Sequence, residues 1–195
     1  MAAKNFRKLF EPCTVKSMTL KNRIVMTPIG TNFAEHTGEV NEKIIEYYKQ
    51  RAKGGTGLII VEGTSVYSPQ GAAGSYQLRI DHDNYIPGLY RLCESIHEYG
   101  AKISILLNHA GGAANGSMTN IQPVSASDIP TSRGSDIPRP LSKDEILTIV
   151  DKFAKAAQRA VTAGFDAVEI QAGHGYLLNQ FLSPITNDRT DEFGG

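Results

Sequence analysis

The stretch GFDAVEIQAGHGYLLNQFLSPITNDRTDEFGG, residues 164–195, reads as a short β-rich run leading straight into a loop crowded with chemically capable side chains. Asp166–Ile170 has the character of a buried strand, and Gln171, His174, Tyr176, Asn179 and Gln180 follow it within ten positions. In a barrel of alternating strands and helices, residues just past the carboxyl end of a strand are the ones that carry chemistry. This single stretch therefore raises both a fold and a site.

Working back from that strand, helices and strands alternate. Ser142 and Glu145 have the spacing of a capping box and open a helix that runs to about Ala163, where Gly164 ends it. Lys102–Leu107 is an apolar strand, preceded by a helix over Tyr85–Tyr99 that Gly100 stops. Leu58–Val61 is an apolar run of the parallel-strand kind. It follows an amphipathic helix over Glu42–Lys53 closed by Gly54 and Gly55. Ile24–Thr27, ending at Pro28, is the first strand of the series, and Lys16–Leu20 with the residues before it forms a small hairpin. Two connections are long. One is Gly63–His82; the other, Asn108–Pro140, is rich in Gly, Ser, Pro and Asn and is either functional or mobile.

Strand-then-helix units in series argue for a parallel α/β sheet with right-handed crossovers. An open dinucleotide-binding sheet needs a glycine fingerprint in its first strand–helix turn. The turn here, PIGTNFAEHTGEV at 28–40, has neither GxGxxG nor a P-loop. The expected architecture is a (β/α)8 barrel of the TIM type, of which residues 1–195 supply the first four units as a single domain truncated before the fifth strand. A whole barrel has eight strands and typically about 250 residues.

The bulk properties narrow the function classes. Lys+Arg and Asp+Glu balance at 20 each, so no net field draws the chain to nucleic acid or to an anionic membrane surface. No run approaches the roughly 18 apolar residues of a membrane span, and the opening MAAKNFRKLF lacks the apolar core of a signal peptide. Cys13 and Cys93 have no paired spacing, which argues against a disulfide framework, a zinc knuckle or a cysteine-held cluster. A cytoplasmic setting is the expectation.

HGYLLNQFLSPITNDRTDEFGG at 174–195, LKNRIVMTPIG at 20–30, LIIVEGTSV at 58–66 and LLNHAGG at 106–112 together resemble the old yellow enzyme family, in matching order along nearly the whole chain. Members are FMN-dependent ene-reductases and NADH:flavin oxidoreductases on a β/α barrel, and the match covers the amino-terminal half of such an enzyme. The resemblance implies FMN as cofactor, NADH or NADPH as transient reductant and a small activated alkene as substrate. It places the backbone of Thr27, Pro28, Ile29 and Gly30 along the flavin ring, with Gly63 approaching the ring from the second strand. Gln171 and His174 match the pair that donates hydrogen bonds to the substrate carbonyl, and Tyr176 matches the proton donor.

This chain departs from the family pattern at three positions. Gln171 stands where histidine is usual; a carboxamide can donate but cannot become charged. Leu106 occupies the place of a glutamine that bonds the flavin's pyrimidine edge, and Gly112 that of a frequent arginine. Together with the absent seventh and eighth strand loops, which hold the phosphate in such barrels, these changes predict weak or absent FMN binding by the chain alone.

Other residues have plainer readings. His174 and Tyr176 taken alone would pass for surface or core hydrogen-bonding groups; the long motif around them makes them candidates for catalysis. His109 is either a barrel-mouth polar group or an anchor of the long loop, and Gly111–Gly116 reads as a flexible linker. His36, His82 and His97 read as solvent-exposed. Glu62 and Glu169 should point into the barrel as structural charges needing partners such as Arg23. A zinc hydrolase built on His109 and His174 lacks well-placed further ligands, and no metal site is expected. Lys102 lies at the wrong end of its strand for a Schiff-base aldolase. The strongest alternative is an inactive half-barrel that acts as a structural unit, its open edges favouring homo-oligomers or pairing with a missing carboxyl-terminal half.

Overall fold

A four-residue helix and a hairpin lead into the sheet. The computed structural model describes residues 6–131 and 136–194. Its elements begin with α1 (Arg7–Phe10), β1 (Cys13–Val15), β2 (Met18–Leu20), β3 (Val25–Met26), α2 (Glu42–Lys53), β4 (Leu58–Ser65), α3 (Ile86–His97) and β5 (Lys102–Asn108). They continue with α4 (Gly116–Thr119), β6 (Val124–Ser125), β7 (Arg139–Pro140), α5 (Lys143–Thr162), β8 (Ala167–Ile170) and α6 (Leu177–Leu182). The main sheet has four strands in the order β3-β4-β5-β8, every neighbour parallel. Sequential strands lie side by side with helices between them, which is the arrangement of a half-barrel.

Alternation along the strands separates two faces. Ile59, Val61, Ile103, Ile105 and Leu107 turn toward the helices and pack with Ile44, Tyr48, Leu89, Leu92, Ile96 and Ala160 in the main core. Burying each such Leu or Ile is worth about 1.5–3 kcal/mol. Ser104, Leu106 and Asn108 occupy the alternate positions of β5 and so face the other side, where a barrel's interior would lie. Each helix begins and ends as its sequence requires. The Asn41 side chain caps α2, and the Ser142–Glu145 capping box opens α5. Gly164, at φ +89°, closes α5 in a conformation that favours glycine.

Several elements differ from their sequence-based bounds for local reasons. β3 is only two residues long because the chain leaves the ladder before Pro28, which has no N–H to give it. β4 runs four residues beyond its apolar run: a bulge between Val61 and Thr64 lets pairing resume at Thr64 with Leu107 and Ser65 with Asn108. The long connection after β5 is partly built, with a 3-10 turn at Gly111–Ala113, the α4 turn and the β6–β7 pair. Gly111–Gly116 is accordingly no flexible linker at its start. Gly111 and Gly112 are buried, and a Cβ on Gly111 would lie 2.9 Å from the Leu177 Cα.

The charge expectations are partly overturned. Glu62 is buried, but its partners are Thr31 and Tyr48 rather than Arg23. Glu169 is exposed, because β8 is an edge of the sheet, as are Val168 and Ile170. His97 is not a free surface histidine. Its Nε2 lies 2.7 Å from Asp166 Oδ2, while Lys102 Nζ donates to Oδ1 at 2.6 Å and the Ile103 N–H donates to Oδ2 at 2.9 Å. This cluster sits at the amino ends of β5 and β8, joining helix α3 to both strands.

Burial opposes the Asp166 charge, yet the bonds from Lys102, His97 and Ile103 outweigh it and hold the carboxyl below its ordinary pKa. A carboxyl whose pKa is lowered by folding stabilises the fold above its unfolded value and loses that contribution as pH falls through the folded one. Asp166→Asn is therefore expected to cost about 1–3 kcal/mol in urea titrations at neutral pH. The gap between parent and variant should close as the pH drops below about 4.

Candidate active site

The carboxyl ends of β4, β5 and β8 meet around one cavity of about 570 Å³. Pro28, Gly30, Gly63, Leu106, Gln171, His174 and Tyr176 line it together, as do Glu62, Gln77 and Asn108. Thr27 and Ile29 do not line it: in extended chain they project opposite to Pro28 and Gly30, and Ile29 is 58 % exposed. Residues from the ends of all four strands of the main sheet are thus brought to one place.

The loop after β8 is shaped by backbone that few residues tolerate. His174 is at φ +60° and Gly175 at +74°, turning the chain so that Tyr176 enters α6 at its N-cap. Gln171 Nε2 lies 3.3 Å from His174 Nδ1. A carboxamide nitrogen can only donate, so in this pairing Nδ1 accepts and Nε2 is the ring nitrogen that carries a proton.

Gln180 holds this loop to the rest of the site. Only 1 % of it is exposed. Its Oε1 accepts from the Gly112 N–H and the Ser125 hydroxyl, both at 2.9 Å. Its Nε2 donates to Ala110 O at 3.2 Å and Gly175 O at 2.7 Å. Four bonds fill the capacity of a carboxamide. The sequence reading noted Gln180 as a polar neighbour and gave it no role; nothing in a single sequence tells a buried hub from a surface glutamine.

His109 proves to be an anchor. It is buried, does not line the cavity, and its Nδ1 accepts from the Gly111 N–H at 3.1 Å. Burial alone pushes its pKa down to about 3, so the ring is neutral. Gly71 packs against it, where a Cβ would come within 2.9 Å of the ring's Cγ. Asn108, which the sequence reading did not single out, lines the cavity with its Oδ1 buried and without a hydrogen-bond partner.

Flavin mononucleotide can be tested against this wall. The volume suits a ring of that size. A Cβ built on Gly30 would meet nothing within 4 Å, so the wall there is bare backbone beside open space. Tyr176, His174 and Gln171 add donors, and the orphaned Asn108 oxygen adds an acceptor in the wall. These features fit a flat heteroaromatic ring, with Leu106 contributing apolar contact only. At Gly112 a Cβ would stand tightly, 3.1 Å from Thr131 Cγ2 and 3.3 Å from Pro138 Cγ, so a larger side chain there needs these neighbours to give by a few tenths of an ångström.

A half-barrel with a polar cavity at its strands' carboxyl ends defines a class of barrel enzyme. The chain belongs to the NADH:flavin oxidoreductase / NADH oxidase family, whose model matches residues 8–195. The NADH oxidase of Thermoanaerobacter brockii is 44 % identical over 192 residues, covering 98 % of this chain and 30 % of that protein. The NADPH dehydrogenase of Clostridium acetobutylicum is 44 % identical over 188 residues, covering 96 % of this chain and 55 % of that one. The old yellow enzyme homologue of Zymomonas mobilis superposes with a TM-score of 0.88 at 36 % identity, over 96 % of this chain and 55 % of its own. The chain thus spans about half or less of the length of the relatives it matches.

Replacing Gln180 by leucine would leave the Gly175 carbonyl, the Gly112 N–H and the Ser125 hydroxyl without the partner they have now, while the Ala110 carbonyl would keep only the Ala113 N–H at 3.2 Å. Gln180→Leu is expected to destabilise the chain by at least about 3 kcal/mol in denaturant titrations, and Ser125→Ala, which removes one of the four bonds, by about 1 kcal/mol.

Proposed function

We propose that this chain carries the ring-facing and substrate-facing residues of an NAD(P)H-dependent flavin oxidoreductase that reduces the C=C bond of an activated alkene, an enone or enoate. The observation that carries this reading is the convergence of Gln171, His174 and Tyr176 on one cavity that Pro28, Gly30 and Gly63 also line. The names of the relatives supply the nicotinamide: NADH for one, NADPH for the other. FMN, when bound, supplies the hydride, taken from the nicotinamide and passed to the alkene's β-carbon.

The chain's own residues do the rest. Gln171 Nε2 and His174 Nε2 donate to the substrate's carbonyl oxygen and stabilise the enolate-like charge that grows there as hydride reaches the β-carbon. The Tyr176 hydroxyl gives its proton to the α-carbon, completing the saturated bond. Gln171 brings a neutral carboxamide dipole to that partner set. A reducing, cytoplasmic setting suits Cys13 and Cys93, both free thiols.

In the complete enzyme, Tyr176→Phe is expected to slow alkene reduction by about 10²–10⁴-fold while flavin reduction by the nicotinamide stays near the parent rate. Equal losses in both half-reactions, measured by stopped flow, would contradict the proton-donor role.

One surface favours a second reading, that of a self-associating half-barrel. Ile170 and Leu182 are exposed and border an apolar hollow of about 500 Å³ with Ile149, Phe153 and Phe181. Beside it, edge strand β8 offers unpaired backbone groups. Sedimentation of the chain by itself should then show dimers or larger species; a compact monomer at micromolar concentration would remove this reading.

A further inference from the structure

The segment from Thr27 to Phe33 forms one wall of the candidate site, yet it belongs to no strand, helix or turn. β3 ends at Met26, and no backbone–backbone hydrogen bond ties residues 27–33 to the body among the described residues. Side chains hold it: Asn41 Nδ2 donates to the Phe33 carbonyl at 2.8 Å at its far end, and Glu62 of the next strand holds the part nearer the cavity. Glu62 Oε2 accepts from the Thr31 hydroxyl at 2.6 Å and from the Thr31 N–H at 3.3 Å. The Thr31 hydroxyl oxygen in turn accepts from the Phe33 N–H at 3.1 Å. On the core side, the Tyr48 hydroxyl donates to Glu62 Oε2 at 3.1 Å and accepts the Glu62 N–H at 2.9 Å. Tyr48 is fully buried on α2, and Glu62 is 2 % exposed.

A buried carboxyl needs such partners, and each of them also serves another end. Tyr48 fixes where the carboxylate stands, and the carboxylate fixes where Thr31 stands. We propose that Glu62 is a positioning residue of the flavin site: through Thr31 it sets the height and order of the Thr27–Gly30 backbone that faces the ring. The inference rests on the flavin reading of the cavity. Burial pushes the Glu62 pKa up in spite of the bonds from Thr31 and Tyr48, in keeping with a group placed for geometry at the expense of hydration.

The test uses the chain with riboflavin, which has the ring and lacks the phosphate, so that contacts to the phosphate do not enter. Four proteins are compared: the parent, Glu62→Gln, Glu62→Leu and Thr31→Val. Amide hydrogen exchange without ligand is measured first. Residues 27–33 are expected to exchange faster in Glu62→Leu and Thr31→Val, while the β5 amides keep their protection. Riboflavin affinity, read by fluorescence quenching well below each melting temperature, should fall about tenfold in those two variants. Glu62→Gln keeps an acceptor for Thr31 and should remain within about threefold of the parent.

Thr31 is only partly buried, so Thr31→Val keeps the test valid if Glu62→Leu fails to fold. Unchanged exchange at residues 27–33 would overturn the positioning role whatever the flavin does. Faster exchange with unchanged riboflavin affinity would reduce Glu62 to a structural residue and overturn the link to the site. Because the chain by itself is expected to bind flavin weakly, riboflavin is titrated up to its solubility limit; a parent with no binding even there, with exchange altered as expected, would overturn the flavin reading of this cavity and the site role with it.

Discussion

The site depends on one buried carboxamide. Gln180 comes from the helix that follows the β8 loop, and its four bonds reach the backbone of Ala110 and Gly112 just past His109, the β6 strand and the loop carrying His174 and Tyr176. A backbone bond from the Leu177 N–H to the His109 carbonyl, at 3.1 Å, is a second tie between the ends of β5 and β8. A strand pair fixes only the ends of its loops, and polar atoms within the loops need partners of their own once they are buried. Gln180 answers that need for three segments at once. The unusual backbone of His174 and Gly175 can be maintained because the carbonyl beside it is held from below.

Charge and polarity are divided between the two ends of the sheet. At the amino ends, Asp166 gathers Lys102, His97 and a strand N–H into a cluster that ties helix to sheet. At the carboxyl ends, neutral donors predominate around the cavity, with Glu62 as the buried carboxyl in its wall. Full charges that serve stability are thus kept apart from the dipoles that would meet a ligand. This is the division expected of a β/α barrel, where one rim carries stability and the other chemistry.

The alternation of strands and helices was legible because each apolar run and each cap follows from local rules. Asn41, Ser142, Gly100 and Gly164 mark helix ends by their own side chains or by the lack of one. The candidate residues were legible because strand ends can be counted. What could not be read was long-range satisfaction. Glu62 was expected to seek Arg23, and it found Thr31 and Tyr48. Their hydroxyls are as good as an ion pair at satisfying a buried carboxylate and do not require a second buried charge. His97 was read as solvent-exposed because nothing in its own helix marks Asp166, 69 residues later, as its partner. The order within the Asn108–Pro140 connection was hidden for the same reason, since it rests on pairings between distant parts of the connection, such as β6 with β7, and on contacts with α6.

The bare Cα of Gly112 has a consequence for how this protein can change. Thr131 and Pro138 lie over it, and the Thr131 hydroxyl donates to the Gly112 carbonyl at 3.3 Å. A side chain added at this position would press on both, so any residue larger than glycine can stand there only if Thr131 and Pro138 each give way by a few tenths of an ångström.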